Sequence, residues 1–178
     1  MTQETSPRIY VACLAAYNAG HLHGAWIEAD QDTDDLAAEI DEVLKTSPVT
    51  GAEEWAIHDF EGFGAFNVDE YESLEDVAKM ANLIASKGAI VSAFVQAQGC
   101  GLEEAQAEFE ERYYGVWESH TAFAEEYLSD CGMLDGLDDS LRGYFDVESY
   151  ARDTDVWTHR DADGVHGILV LLAKAARR

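Results

Sequence analysis

Several residue types that carry hydrolytic chemistry are present: histidines near carboxylates, three cysteines and a large surplus of acids. His21 and His23 flank one residue, and His58 adjoins Asp59 at the end of an apolar run. Imidazole and carboxylate are the materials of a metal-assisted hydrolase. An HxH pair on a turn needs a third ligand at a definite spacing, however, and HExxH does not occur. These histidines are read as packing or hydrogen-bonding residues, and no metal is expected. Cys13, Cys100 and Cys131 are odd in number, widely spaced and without a CxxC pair. That fits a reduced compartment and small buried side chains better than a disulfide framework. GxSxG, a Walker loop and GxGxxG are all missing, and Gly62-Phe63-Gly64 lacks phosphate-loop spacing. The expectation is a protein that is not an enzyme and needs no cofactor.

The carboxylates are the dominant chemistry. There are 36 Asp and Glu against 11 Lys and Arg in 178 residues, a formal net charge of -25. Such a balance destabilises a compact chain by self-repulsion, so a folded protein that keeps it has a use for the field. It opposes direct binding to nucleic acid or to an anionic membrane and points to a basic partner surface. From Glu28 to Asp76 there are 17 acids and a single base, Lys45. Asp35, Glu39 and Glu42 fall at i, i+4 and i+7, one outward row of a helix; Glu104, Glu108 and Glu111 repeat the arrangement, with Glu103 and Glu110 beside them.

Each of these two helices carries five carboxylates within nine residues. At a rise of ~1.5 Å per residue, that is roughly one charge per 2.7 Å. Duplex DNA carries one per ~1.7 Å of axis, so two neighbouring helices would match its line density. Like charges at i, i+4 cost about 0.2–0.5 kcal/mol per pair, and lysine at these positions would remove the cost. Its absence is informative. Two other readings of the acidity stand beside a DNA-like surface: adaptation to high salt, as in a halophilic or metal-dependent hydrolase, and an acidic adaptor for another basic protein. The four lysines of the chain fit the first, but a halophilic surface needs only scattered charge.

The elements that must position these side chains make an α+β protein built as an elongated chain of three small domains. The first, residues 8–61, is a small antiparallel sheet with a helix. It has a strand over 8–17, a second over 23–29, a helix over 34–45 capped by Asp32 or Thr33, and a third strand over 54–60. Leu36, Ile40, Val43 and Leu44 form the buried stripe of that helix. The second, residues 62–100, is helical. Ser73 with Asp76 resembles a capping box, Leu74, Val77, Met80, Ala81 and Ile84 form an apolar face, Lys87-Gly88 is a stop, and a second helix covers 89–98. The third, residues 101–178, is mixed: helices over 102–112 and 120–129, a loop, aromatic residues in 142–152 suited to packing or pairing, and a strand or short helix over 165–172. The aromatics of YYGVW and RGYF are read as core or interface. No signal peptide is recognised, and the longest apolar run, residues 168–173, is too short to span a bilayer, so a cytoplasmic location is expected.

RIYVACLAAYNAGHLHGAWIEA, EEWAIHDFEGFG and RGYFDVESYARD together resemble the signature segments of ArdA-type antirestriction proteins. The resemblance implies a protein encoded on mobile elements that inhibits type I restriction-modification enzymes. It also implies an elongated homodimer of three-domain chains, paired through the C-terminal domain, whose carboxylates imitate the phosphates of bent DNA in the groove of the methyltransferase core. The phosphate-mimicking candidates are then Asp35, Glu39, Glu42, Glu53, Glu54, Asp69, Glu70, Glu72, Glu75, Glu104, Glu108 and Glu111. Residues 127–141 lie where the family carries its antirestriction motif. Tyr127, Leu128, Leu134, Leu137, Leu141, Tyr144 and Phe145 are the candidate motif or interface residues. Lys174, Arg177 and Arg178 close the chain with a basic tail that departs from the acidic pattern.

Overall fold

A computed structural model describes residues 6–99 and 101–154, and the backbone of two further strands at 157–160 and 166–171. The chain divides into two compact units, Met1–Gln106 and Ala107–Arg178. Each is mixed α and β.

The first unit is built on a three-stranded antiparallel sheet of order β2-β1-β3, with β1 at Arg8–Cys13, β2 at Gly24–Glu28 and β3 at Trp55–Glu61. Along β1 the side chains of Ile9, Val11 and Cys13 are fully buried and Arg8 and Tyr10 are half-exposed, a period-2 alternation that ends at Ala12, which is buried as well. The expected strand over 8–17 stops at Cys13. Leu14–Asn18 turns instead into a short helix, α1. The switch is enforced at both edges, because the Cys13 amide donates to His23 O and the Leu14 amide to Glu54 O, which completes the ladder at that level. Two alanines then favour the helical turn. Between β1 and β3 the register slips: Tyr10 faces Asp59 but Val11 faces Ile57, so His58 is the extra residue of a bulge.

Helix α2, Thr33–Lys45, is the acidic helix expected from the spacing, with Asp32 at its N-cap. Its Leu36 and Ile40 are buried, Val43 and Leu44 half-buried, and it packs on β1 and β2. Burial of Leu36 and Ile40 contributes about 1.5–3 kcal/mol each, well above the repulsion along the acidic face. This is why a helix with so many like charges still forms.

Helices α3 (Leu74–Lys87), α4 (Ile90–Gln98) and α5 (Leu102–Arg112) follow. In α3, Val77, Met80, Ala81 and Ile84 are buried as expected and Leu74 is half-buried. The capping box does not form: Ser73 occupies the N-cap without a side-chain hydrogen bond. Glu75 and Asp76 in the first turn act through charge, where the helix N-terminus favours carboxylates. Gly88, at φ +80°, ends the helix in a conformation that side chains disfavour.

The second unit holds the strand β4 (Tyr113–Trp117), the helices α6 (His120–Asp130), α7 (Asp139–Arg142) and α8 (Val147–Asp153), and the strands β5 (Trp157–Arg160) and β6 (His166–Leu171). Its sheet is antiparallel in the order β4-β6-β5. Within the segment 165–172, open between strand and helix by periodicity, His166–Leu171 is a strand that pairs with both neighbours, and residues 165 and 172 lie outside the described residues. YYGVW, read above as core or interface with no secondary structure assigned, is itself a strand. Helix α6 packs on α8 and β4. Phe123 is fully buried, with the rings of Tyr114, Tyr127 and Trp117 at 5.5, 5.4 and 5.9 Å, so the core reading of YYGVW holds for Tyr114 and Trp117. Tyr144 of RGYF, read as core or interface, is 87% exposed and so is not core.

Candidate acidic interface

The outward row on α2 forms as its spacing dictates. Asp35, Glu39 and Glu42 are all exposed, opposite buried Leu36 and Ile40. Glu39 Oε1 accepts a hydrogen bond from Gln31 Nε2 at 3.1 Å, and Glu42 pairs with Lys45 at 2.7 Å across one turn. Both partners of that pair are about two-thirds exposed, so it offsets little of the local field. The bond and charge of Glu42 nevertheless hold the Lys45 ammonium above its ordinary range.

A second group comes together through the backbone. Glu53 and Glu54 lead into β3, and the Ile57 amide donates to Glu70 O at 3.0 Å, which brings the turn carrying Asp69, Glu70 and Glu72 alongside that strand. The turn is closed by the Glu72 amide on Asp69 O, and Asn67 Nδ2 donates to Asp69 Oδ1. Glu53, Glu54, Asp69 and Glu70 are exposed and Glu72 is half-buried. Tyr71, 71% exposed, stands among them. The charge of Glu70, its hydrogen bond to the phenol and the more distant charge of Glu54 keep that phenol protonated above its ordinary range. Sequence spacing gave no sign of this juxtaposition, because it depends on a non-local backbone bond.

The α5 row forms only in part. Glu104 and Glu111 are exposed, but Glu108 turns inward: its side chain is 16% exposed and Oε2 lies 3.3 Å from Arg112 Nη1. The expectation of three outward carboxylates is corrected at this position, because Arg112 one turn later draws Glu108 into an ion pair. Glu103, next to the row, pairs with Lys79 at 2.6 Å, and Lys79 also pairs with Glu75 at 2.8 Å. Lys79 was not singled out by its sequence context.

The candidate motif residues of the second unit divide between core and surface. Leu128 is buried on α6, and Tyr127, Leu134 and Phe145 are half-buried. Leu137, Leu141 and Tyr144 are exposed, at 36%, 54% and 87%, with Met133 exposed beside them in the sequence. The basic residues Lys174, Arg177 and Arg178 lie outside the described residues.

The histidines do not converge. His21 is exposed, His23 Nε2 lies 2.7 Å from Val43 O, and His58 meets the Tyr17 ring edge-on at 5.1 Å. Among the described residues no three His, Cys, Asp or Glu side chains are arranged to hold a metal ion. Cys13 is buried with Sγ 3.4 Å from Ser47 Oγ, and Cys131 is exposed. No helix of the described residues is long and apolar enough to cross a membrane.

Two small antiparallel sheets with their helices, and carboxylates turned to solvent along α2 and the 53–72 region, define an acidic α+β protein. The chain belongs to the ArdA antirestriction protein family, whose model matches residues 9–164. That span contains every candidate acid and all three signature segments apart from Arg8, the first residue of the first; the basic tail falls beyond it. Antirestriction is thus the function of the family, and restriction-modification enzymes are the partner class it suggests. None of the curated proteins shows significant similarity to the chain.

Proposed function

We propose that this protein is an acidic mimic of double-stranded DNA that occupies the DNA-binding groove of type I restriction-modification enzymes, on their methyltransferase core. The observation that carries the reading is the exposed row Asp35, Glu39 and Glu42 on α2, held outward by the burial of Leu36 and Ile40. Glu53, Glu54, Asp69 and Glu70 extend the same kind of surface. Glu104 and Glu111 contribute from α5, where the pairing of Glu103 and Glu108 with cations makes the field weaker than the count of acids suggests.

The three-domain division at 8–61, 62–100 and 101–178, its elongated arrangement and homodimerisation through the third domain belong to the same proposal. So do a cytoplasmic site of action and a mobile-element origin. Exposed Leu137, Leu141 and Tyr144 are the pairing candidates. The protein itself binds no nucleic acid, because its charge repels phosphates.

The test is inhibition of DNA cleavage by a purified type I enzyme over a salt series. Inhibition by the unaltered protein weakens steeply as salt rises. The triple variant Asp35→Asn, Glu39→Gln, Glu42→Gln loses about tenfold in inhibitory strength and shows a shallower salt slope. Equal inhibition by the triple variant would remove α2 from the mimic. Capture of some other basic DNA-binding protein from a host lysate, with no effect on the restriction enzyme, would favour the adaptor reading instead.

A further inference from the structure

In a chain this acidic, Lys79 stands at an unusual place. It lies on α3, and its ammonium is 2.8 Å from Glu75 Oε1 and 2.6 Å from Glu103 Oε1, residues in the first turns of α3 and α5. An open groove of about 440 Å³ runs beside it, lined among others by Thr33, Asn82, Glu103 and Gln106. The start of α2 is tied to the same groove, because Asn82 Nδ2 donates to Gln31 O at 3.2 Å. Three acidic helix starts therefore border one groove.

Two carboxylates on one ammonium sit closer together than the ~8 Å Debye length at physiological salt, so bulk ions screen their repulsion only in part. The hydrogen bonds that the ammonium donates to Glu103 and Glu75, and then the charge of those carboxylates, raise its pKa, while the bond from Lys79 in turn lowers that of the Glu103 carboxyl. An isolated exposed ion pair contributes little to stability, and at 36% exposure this one is no exception. Its effect is on geometry: a shared cation fixes the spacing of two negative charges that would otherwise move apart.

We propose that Lys79 is a positioning residue for the acidic surface, holding the carboxylates at the starts of α3 and α5 at a set spacing, so that loss of its charge weakens inhibition although it makes the chain more negative. This rests on the DNA-mimic reading. It makes a prediction of opposite sign to charge counting, because a cation that merely diluted the field would strengthen inhibition when removed.

The experiment compares the unaltered protein with Lys79→Met and Lys79→Arg in the salt series above. It adds amide hydrogen exchange of residues 102–106, and melting curves to confirm that both variants fold. Lys79→Met is expected to inhibit about fivefold more weakly, the scale of one lost interaction, with faster exchange at 102–106. Lys79→Arg, which keeps the charge, stays within about twofold. Unchanged or stronger inhibition by Lys79→Met overturns the proposal, as does an equal loss in Lys79→Arg. If the unaltered protein fails to inhibit, the mimic reading falls by itself. Amide exchange then decides for Lys79: faster exchange in Lys79→Met supports positioning, and unchanged exchange overturns it.

Discussion

Glu108 and Arg112 pair across one turn of α5 at 3.3 Å, with side chains only 16% and 17% exposed. A carboxylate and a guanidinium this far from solvent depend on one another more than any exposed pair in the protein does. Helical position alone would have placed Glu108 among the acids that face a partner. Burial separates it from Glu104 and Glu111 and gives it a structural task.

Glu108→Gln is accordingly expected to destabilise the protein by about 1–2 kcal/mol, because it removes a charged hydrogen bond to a half-buried guanidinium. Glu111→Gln, at an exposed position of the same helix, should stay within about 0.5 kcal/mol. Urea denaturation of the two variants measures the difference. Equal stabilities would show that the pair adds nothing to the fold.

Ser92 on α4 is buried, accepts the Ala65 amide at 2.8 Å and donates to Ala89 O at 2.6 Å, fastening the loop before α3 to α4. Ser92→Ala should cost about 1–2 kcal/mol by leaving the Ala65 amide unsatisfied. Gly64, at φ +58°, lies so close that a Cβ there would fall on Ser92 Oγ. Gly64→Ala adds left-handed strain of roughly 1–2 kcal/mol to that clash. Combining it with Ser92→Gly should relieve the clash, so the double variant is less destabilised than the sum of the singles. Additive thermal shifts would contradict the contact.

Asp138 and Asp146 cap α7 and α8. Their carboxylates accept the amides and hydroxyls of Ser140 and Ser149, and those side-chain bonds, first among the causes, hold both carboxyls below the ordinary range. A depressed carboxyl stabilises the fold above its unfolded value and loses that stabilisation as pH falls through the folded one. The melting temperature should therefore fall in acid less steeply for Asp146→Asn than for the unaltered protein. Parallel pH profiles would mean that the cap contributes nothing to acid sensitivity.

Leu141 and Tyr144 expose apolar surface in the second unit, at 54% and 87%. If pairing runs through this segment, Leu141→Asp with Tyr144→Ser should shift the protein from dimer to monomer in sedimentation at micromolar concentration. Its helical content should not change. A dimer that survives both substitutions would move the interface elsewhere.

The longer helices, α2 to α6, were legible in the sequence because their signal is local, whereas α1, α7 and α8 were not. The stripe Leu36–Ile40, the apolar face of α3 and the stop at Gly88 are each set by residues of a single helix, and each is found where spacing put it. The acidic row on α2 followed for the same reason, since opposite faces of one helix are set by periodicity alone. Family membership was likewise carried by short segments that keep their residues in order.

Other features depended on distant partners. The strand of β1 gives way at Leu14 because the backbones of His23 and Glu54 meet it there. β4 is a strand because β6, far along the chain, pairs with it. Glu54, Glu70 and Tyr71 become neighbours through one amide of β3. The inward turn of Glu108 was local in spacing, yet it was decided by burial, which periodicity does not report for a charged side chain. The number and sign of the charges could thus be read from the residues. Which carboxylates reach solvent and which are held by Lys79 or Arg112 was decided by tertiary structure, because exposure and pairing are set by what packs beside each side chain.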